Sequence, residues 1–263
     1  METSAPANSR SPRTLLSDKL ARFVDLTAQE RAHLKGIQTD MVSVRQGGDI
    51  VRAGQTSKCI YILNEGMAIR YKVLPDGRRH VLNLILPGDF VGFPGSMFEK
   101  SLYSISGLTD IVASVLSFEA VFDLFKCHPR LGAAMFWMAG HEAALFAEHL
   151  VGIGRQSAYE RIARLLLELL VRMQMVGLAD DQSYELPLTQ ELIADTLGLS
   201  VPHVNRTLRC LREDGLISLK GSRLTCPDIP TLSRVADFDS VNFSRQRIPW
   251  PSAGTGADPD QSR

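Results

Sequence analysis

The sequence predicts an α+β chain with short strands in its N-terminal part, a long apolar helix, and a winged helix-turn-helix towards its C-terminus. Three observations carry this. Between residues 40 and 118, apolar side chains alternate with small or charged ones, and turn residues recur at fairly even spacing; this is the period-2 signature of half-buried strands in a small barrel or sandwich. From Phe118 to about Met175 the period becomes helical. Residues 189–212 then carry capping, small, left-handed and basic residues in the order of two helices joined by a tight turn.

The strand region shows its turns plainly: Gly47-Gly48, Gly54, Asn64-Glu65-Gly66, Pro75-Asp76-Gly77 and Pro87-Gly88-Asp89. Asp76-Gly77 between two apolar runs is a strong hairpin signal. In Met67-Ala68-Ile69-Arg70-Tyr71-Lys72-Val73 the large apolar residues mostly alternate with small or charged ones, as a strand with one buried face requires. A helix from about Ser17 to Lys35 is expected before the strands. After them, Leu131 to Val151 is apolar over most of a helix circumference, with His141, Glu142, Glu148 and His149 as the polar remainder. Such a helix has to be buried, and a partner chain is the cheapest means. Ser157-Ala158-Tyr159-Glu160 is a capping box that opens the next helix.

Composition bounds the function. A chain of 263 residues holds one large domain or two ordinary ones, and its 44% hydrophobic and 22% charged content is that of a soluble globular protein. No apolar run approaches the ~20 residues that span a bilayer. Met1 to Arg13 is polar and lacks the apolar stretch of a signal peptide. A cytoplasmic chain with no membrane partner is therefore expected. Cys59, Cys127, Cys210 and Cys226 lie far apart without a Cys-x-x-Cys pair, so free thiols are expected rather than a disulfide frame or a metal site. His141 and His149 could meet symmetry mates at a metal, but such histidines are far more often partly solvated interface residues. No cofactor is implied. Neither a nucleophile elbow, a Walker loop nor a paired-carboxylate site is present, so an enzyme is not expected. The formal net charge is zero, which confines any nucleic-acid surface to a local patch.

That patch is the helix pair. Thr189 is placed to cap the first helix, Ala194 is small where the second must cross, and Gly198 supplies the left-handed stop. Ser200 caps the second helix and Pro202 falls in its first turn. Ile193, Leu197, Leu199, Val204 and Leu208 form the shared core. His203, Asn205, Arg206, Arg209 and Arg212 project from a second helix with no acid between Ser200 and Arg212. Arginine can bond guanine bidentately in the major groove, and other cations neutralise phosphate. A hairpin with a basic tip, Lys220-Gly221-Ser222-Arg223, follows as a wing. The expected contacts with double-stranded DNA are Thr189, Gln190, Ser200, Val201, Pro202, His203, Asn205, Arg206, Arg209, Lys220, Ser222 and Arg223. Cys210, among Arg209 and Arg212, is a candidate redox thiol, the alternative being a small apolar residue facing the domain core. The rival function class is a ligand-binding regulatory module that does not bind DNA, in which the basic helix and wing would have no role.

Over about residues 17–228 the order of parts resembles the CRP/FNR family of bacterial transcription regulators, most specifically in Pro87-Gly88-Asp89-Phe90-Val91-Gly92 and from Leu188 to Ile217. Residues 1–16 and 236–263 read as disordered tails by their composition, and the resemblance implies a cyclic-nucleotide-binding-like β-roll sensor over 17–127, a dimerisation helix over 128–155 and a winged helix-turn-helix over 156–230. It also implies a homodimer on two-fold symmetric sites, with RNA polymerase as a further partner of an activator. Arg206 sits where the family reads guanine, while the glutamate that commonly precedes it by four is Pro202 here. The candidate effector pocket is Gly88, Asp89, Phe90, Gly92, Phe93, Lys100 and Ser101. Phe93 stands at the glutamate position of the cAMP-binding members, and Ser101-Leu102 roughly at their Arg-Ser pair, so cAMP is not expected unless Lys100 holds the phosphate. The N-terminal cysteine cluster of the iron–sulfur members is missing, and Gly92 and Pro94 stand where the haem members carry Cys and His. The effector is thus an unknown small molecule or none.

Overall fold

The computed structural model describes residues 15–38, 40–57, 59–92 and 98–239. The chain opens with two helices, α1 (Leu15–Leu20) and α2 (Ala28–Gly36), where one from Ser17 to Lys35 is expected from sequence. The reason for the break is a second start signal. The Thr27 hydroxyl accepts from the Glu30 amide at 3.1 Å and the Glu30 carboxylate accepts from the Thr27 amide at 2.7 Å, a capping box inside the expected helix. Leu16, assigned to the first tail, is fully buried with Leu20, Phe23 and Leu34 against Ile60, Ile62 and Leu116. Residues 1–14 and 240–263 of the expected tails lie outside the described residues.

Eight strands follow: β1 (Asp40–Val44), β2 (Asp49–Val51), β3 (Cys59–Glu65), β4 (Ala68–Val73), β5 (Arg79–Ile85), β6 (Phe90–Val91), β7 (Ser104–Gly107) and β8 (Ile111–Ser117). They form two antiparallel sheets, in the orders β1-β8-β3-β6 and β2-β7-β4-β5. The expected Asp76-Gly77 turn joins β4 to β5, and Gly77 has φ 85°. Gly66, at φ 80°, admits no side chain, since a Cβ would sit 2.1 Å from the Asp110 carbonyl oxygen. Val51, Leu63, Ala68, Ile85, Val91, Ile105 and Ile111 fill the space between the sheets.

Strand β4 departs from the expected single buried face. Ala68 joins the roll core, while Ile69 packs outward into a cluster with Leu165, Leu166 and Leu169. Arg70, on the Ala68 side of the strand, is buried too, next to a bulge at Arg70/Tyr71. Both faces are covered because the helix that bears Leu165 packs on the Ile69 side, while Tyr103 and the long-helix residues Glu142 and Phe146 close over Arg70 on the other.

Helix α3 (Phe118–Cys127) leads into the long α4 (Pro129–Arg155). Leu131, Ala134, Met135 and Met138 bury one side of α4 against the roll, whereas Phe136 is 74% and Leu150 72% exposed. Beyond it come α5 (Ala158–Met175), β9 (Ser183–Glu185), α6 (Gln190–Leu197), α7 (Val201–Glu213), β10 (Ser218–Lys220), β11 (Arg223–Thr225) and α8 (Ile229–Ala236). The capping box at Ser157 and Glu160 forms as expected.

Two elements of this part lie beyond the sequence expectation. Strand β9 extends the wing into a sheet of order β10-β11-β9. Helix α8 carries the helical domain past residue 230, and Leu232, Ala236 and Phe238 are buried in its core, so Ala236 and Phe238, assigned to the second tail, belong to the domain. Its start was legible: the Asp228 carboxylate accepts from the Thr231 amide at 3.0 Å, and Pro230 falls in the first turn. Among the described residues no helix is long and apolar enough to cross a membrane.

Candidate nucleic-acid interface

Local signals build the helix pair. The Thr189 hydroxyl accepts from the Leu192 amide at 3.2 Å and starts α6. Gly198, at φ 63°, ends it, and the Gly198 and Leu199 amides both turn back to the Ala194 carbonyl. Ser200 holds the N-cap position of α7 with extended backbone, but its side chain makes no cap hydrogen bond. Pro202 lies in the first turn as expected.

Val204, Thr207, Leu208 and Leu211 are the buried side of α7. At 100° per residue the opposite side carries Pro202, His203, Arg206, Arg209 and Cys210, with Val201 and Asn205 at its edges, and all seven are exposed. The stripe holds no acid before Glu213, and it begins at the positive end of the helix dipole. Cys210 is exposed and not core-facing, because Leu211 takes the inward position. The buried thiol is Cys226, whose pKa is pushed up to about 11 by burial. Arg212 folds back on its own helix, its Nε donating to the Leu208 carbonyl at 3.2 Å.

The wing is less basic than its sequence. Arg223 is ion-paired with Asp180 and Glu185 and donates to the Ser183 hydroxyl at 2.7 Å. Ser222 donates its hydroxyl to Glu185. Both are therefore engaged with Glu185 of β9, and Arg223 also with Asp180 of the preceding loop, an arrangement that follows from β9 pairing with β11. Lys220 stays exposed at the tip, and Gln190 is exposed at the start of α6.

Apart from the exposed Lys100, the expected effector residues that lie among the described residues are engaged in separate contacts. Gly88 packs against the Leu15 backbone. Asp89 faces α1 and α5, accepting from the Leu86 amide at 3.1 Å and from Arg172 at 3.2 Å and pairing with Lys19. Phe90 is buried under α1 and α4, and the Gly92 carbonyl accepts from the Tyr103 hydroxyl at 3.4 Å. Lys100 is exposed, and the buried Ser101 donates its hydroxyl to the Tyr103 carbonyl at 2.7 Å. Phe93 lies outside the described residues. The Pro87-Gly88-Asp89 turn is an interdomain contact because it projects towards α5.

Asp89 opens a buried ionic run. Arg172 donates to Asp89, to the Leu84 carbonyl at 2.6 Å and to Glu168 at 3.1 Å, and Glu168 meets His149 of α4 at 2.5 Å. Burial alone would raise the Glu168 pKa, but the His149 hydrogen bond and the charges of His149 and Arg172 overcome it and hold the carboxyl at about 2. His141, beside a cavity of about 100 Å³ in this region, has its pKa lowered by burial and by nearby cations. Farther out, two guanidinium nitrogens of Arg79 on β5 reach Asp195 of α6 at 2.8 Å. Among the described residues no group of three or more His, Cys, Asp or Glu side chains is placed to hold a metal.

Comparison with known proteins matches two parts of the chain. Residues 41–128 match the cyclic nucleotide-binding domain, and residues 160–235 match the Crp-like helix-turn-helix domain. The transcriptional activator protein FnrL of Cereibacter sphaeroides is 30% identical over 202 residues, which cover 75% of this chain and 81% of that protein. The nitrogen fixation regulation protein FixK of Azorhizobium caulinodans is 31% identical over 210 residues, covering 78% and 82%. In fold, the chain is similar to the structure of FixK2 from Bradyrhizobium japonicum, with a TM-score of 0.67 at 24% identity, covering 74% of this chain and 96% of that one.

Proposed function

The chain belongs to the CRP/FNR family of transcription regulators, and from that premise we propose that it binds two-fold symmetric DNA sites as a homodimer. The observation that carries this is the exposed, acid-free stripe on α7 with Arg206 at its centre. A recognition helix lies in the major groove, where arginine bonds guanine O6 and N7, so Arg206 reads a guanine and Arg209 and His203 flank it. The exposed apolar side of α4, with Phe136, Leu150 and Val151, supports pairing with a second copy along that helix.

The sensor half acts without cAMP. Lys100 faces solvent and the Ser101 hydroxyl is committed to Tyr103, so neither is placed to hold a cyclic phosphate. FnrL is named an activator, and on that analogy RNA polymerase is a further partner.

Binding-site selection on the wild type and on Arg206→Ala tests the assignment. A bidentate guanine contact carries about 1–3 kcal/mol of discrimination, so the variant should lose preference at one base pair of each half-site. If the variant kept its full base preference and lost only salt dependence, α7 would not be the reading helix. Calorimetry with millimolar cAMP should show no heat; micromolar binding would overturn the sensor assignment.

A further inference from the structure

Arg70 on β4 is 1% exposed and is the largest of the fully buried side chains among the described residues. Its Nη1 lies 3.0 Å from Oε1 of Glu142 on α4, and Asn83 of β5 donates to the same oxygen at 3.0 Å. The guanidinium carbon stands 4.7 Å from the Tyr103 ring centroid and 5.8 Å from that of Phe146 on α4. Tyr103 in turn bonds the Gly92 carbonyl. Arg70 thus meets the long helix directly, and through Glu142 and Tyr103 it is linked to Asn83 of β5 and to Gly92 after the Gly88 turn.

Burying a guanidinium costs several kcal/mol in desolvation, and apolar side chains of similar volume often serve as well or better in stability. What an ion pair adds is direction: charge and hydrogen-bond geometry select one placement of two elements, where apolar surfaces tolerate sliding. Helix α4 needs such a fix at this point. Its buried residues run from Leu131 to Met138, and beyond Met138 only Gly152 is buried. Glu142 thus lies just past the main run of buried residues, and the ion pairs beyond it, His149 with Glu168 and Glu148 with Arg164, reach α5 and not the roll. From Glu142 to Arg155, where α4 ends, is about 20 Å of helix, and a tilt of about 10° would displace that end by about 3–4 Å. The recognition helices of a dimer must meet half-sites one helical turn apart, and a displacement of that size at each arm spoils the match.

We propose that Arg70 and Glu142 form a resident tether that sets the angle of α4 on the roll, so that the paired DNA-binding domains hold half-site spacing with no bound effector. Both are positioning residues, since neither is on the DNA-facing surface. The tether rests on dimeric DNA binding as proposed above.

The test compares affinity for the two-fold duplex selected by the wild type with affinity for one half of it. The variants are R70M, E142Q, R70K and the apolar pair R70M/E142L, each checked for folding and dimerisation by thermal unfolding and sedimentation. Half-site affinity should stay within about twofold of wild type, because the recognition helix is untouched. Full-site affinity of R70M, E142Q and R70M/E142L should fall about tenfold or more, a part of the ~10²–10⁴ that linking two sites contributes. R70K, which keeps a cation opposite Glu142, should retain more of it than R70M. The apolar pair leaves no buried unpaired charge, so it carries the comparison if R70M alone does not fold. An unchanged full-to-half-site ratio in R70M, E142Q or R70M/E142L, where that variant is a folded dimer, overturns the tether. A wild type that does not prefer the full site would instead overturn dimeric DNA binding itself.

Discussion

Glu168→Gln removes one negative charge from the buried run that joins α5 to the roll and to α4, and its effect should depend on pH in a calculable way. The folded carboxyl has a pKa of about 2 against an ordinary 4.5. A depressed pKa means that folding favours the charged form, so the stabilisation is fully present above pH 4.5 and is lost as pH falls towards 2. At 1.36 kcal/mol per unit, the group contributes about 3 kcal/mol at pH 5 and about 1.5 kcal/mol at pH 3. Glutamine keeps the shape and a hydrogen bond to His149 but cannot titrate. The wild type should therefore exceed the variant by about 1.5 kcal/mol more at pH 5 than at pH 3. The assay is urea unfolding followed by circular dichroism at both pH values, with protein concentration held constant because the stability of a dimer depends on it. The remaining carboxylates titrate in both proteins and cancel in the difference. A stability gap that is the same at pH 5 and pH 3 would refute the reasoning, since the Glu168 carboxylate could not then be held charged by His149 and Arg172.

Thr189→Ala should lower stability by about 1 kcal/mol in thermal unfolding, because its hydroxyl caps α6. Ser200→Ala should cost less than about 0.5 kcal/mol, because its side chain makes no cap bond to α7. Lys220→Ala should weaken binding to all DNA sequences alike and make the salt dependence shallower by a slope of about one, measured as affinity over several salt concentrations. Arg223→Ala, whose side chain is already engaged with Asp180 and Glu185, should change that slope less than Lys220→Ala does. Phe136→Asp places a charge on the most exposed apolar position of α4 and should shift sedimentation from a dimer to the 29.0 kDa monomer.

The helix-turn-helix was legible in the sequence because its signals are local. Thr189 caps within three residues, Gly198 turns left-handed on its own backbone, and the side of α7 that bears Arg206 follows from helical spacing. The Asp76-Gly77 hairpin and the Ser157 capping box are legible for the same reason. What the sequence did not disclose is where charged side chains point once distant elements close on them. Arg70 occupies what looks like a solvent position in an alternating strand, yet α4, some seventy residues later, covers it and supplies Glu142. Asp89 looks like part of a ligand loop, yet Arg172 of α5 claims it. Arg223 looks like a wing cation, yet Glu185 of β9 and Asp180 of the loop before it close against it. Backbone turns and caps are decided by neighbours in the chain, which the sequence states directly. Buried charges are decided by partners in space, because desolvation makes each one seek an opposite charge wherever the tertiary structure brings it near.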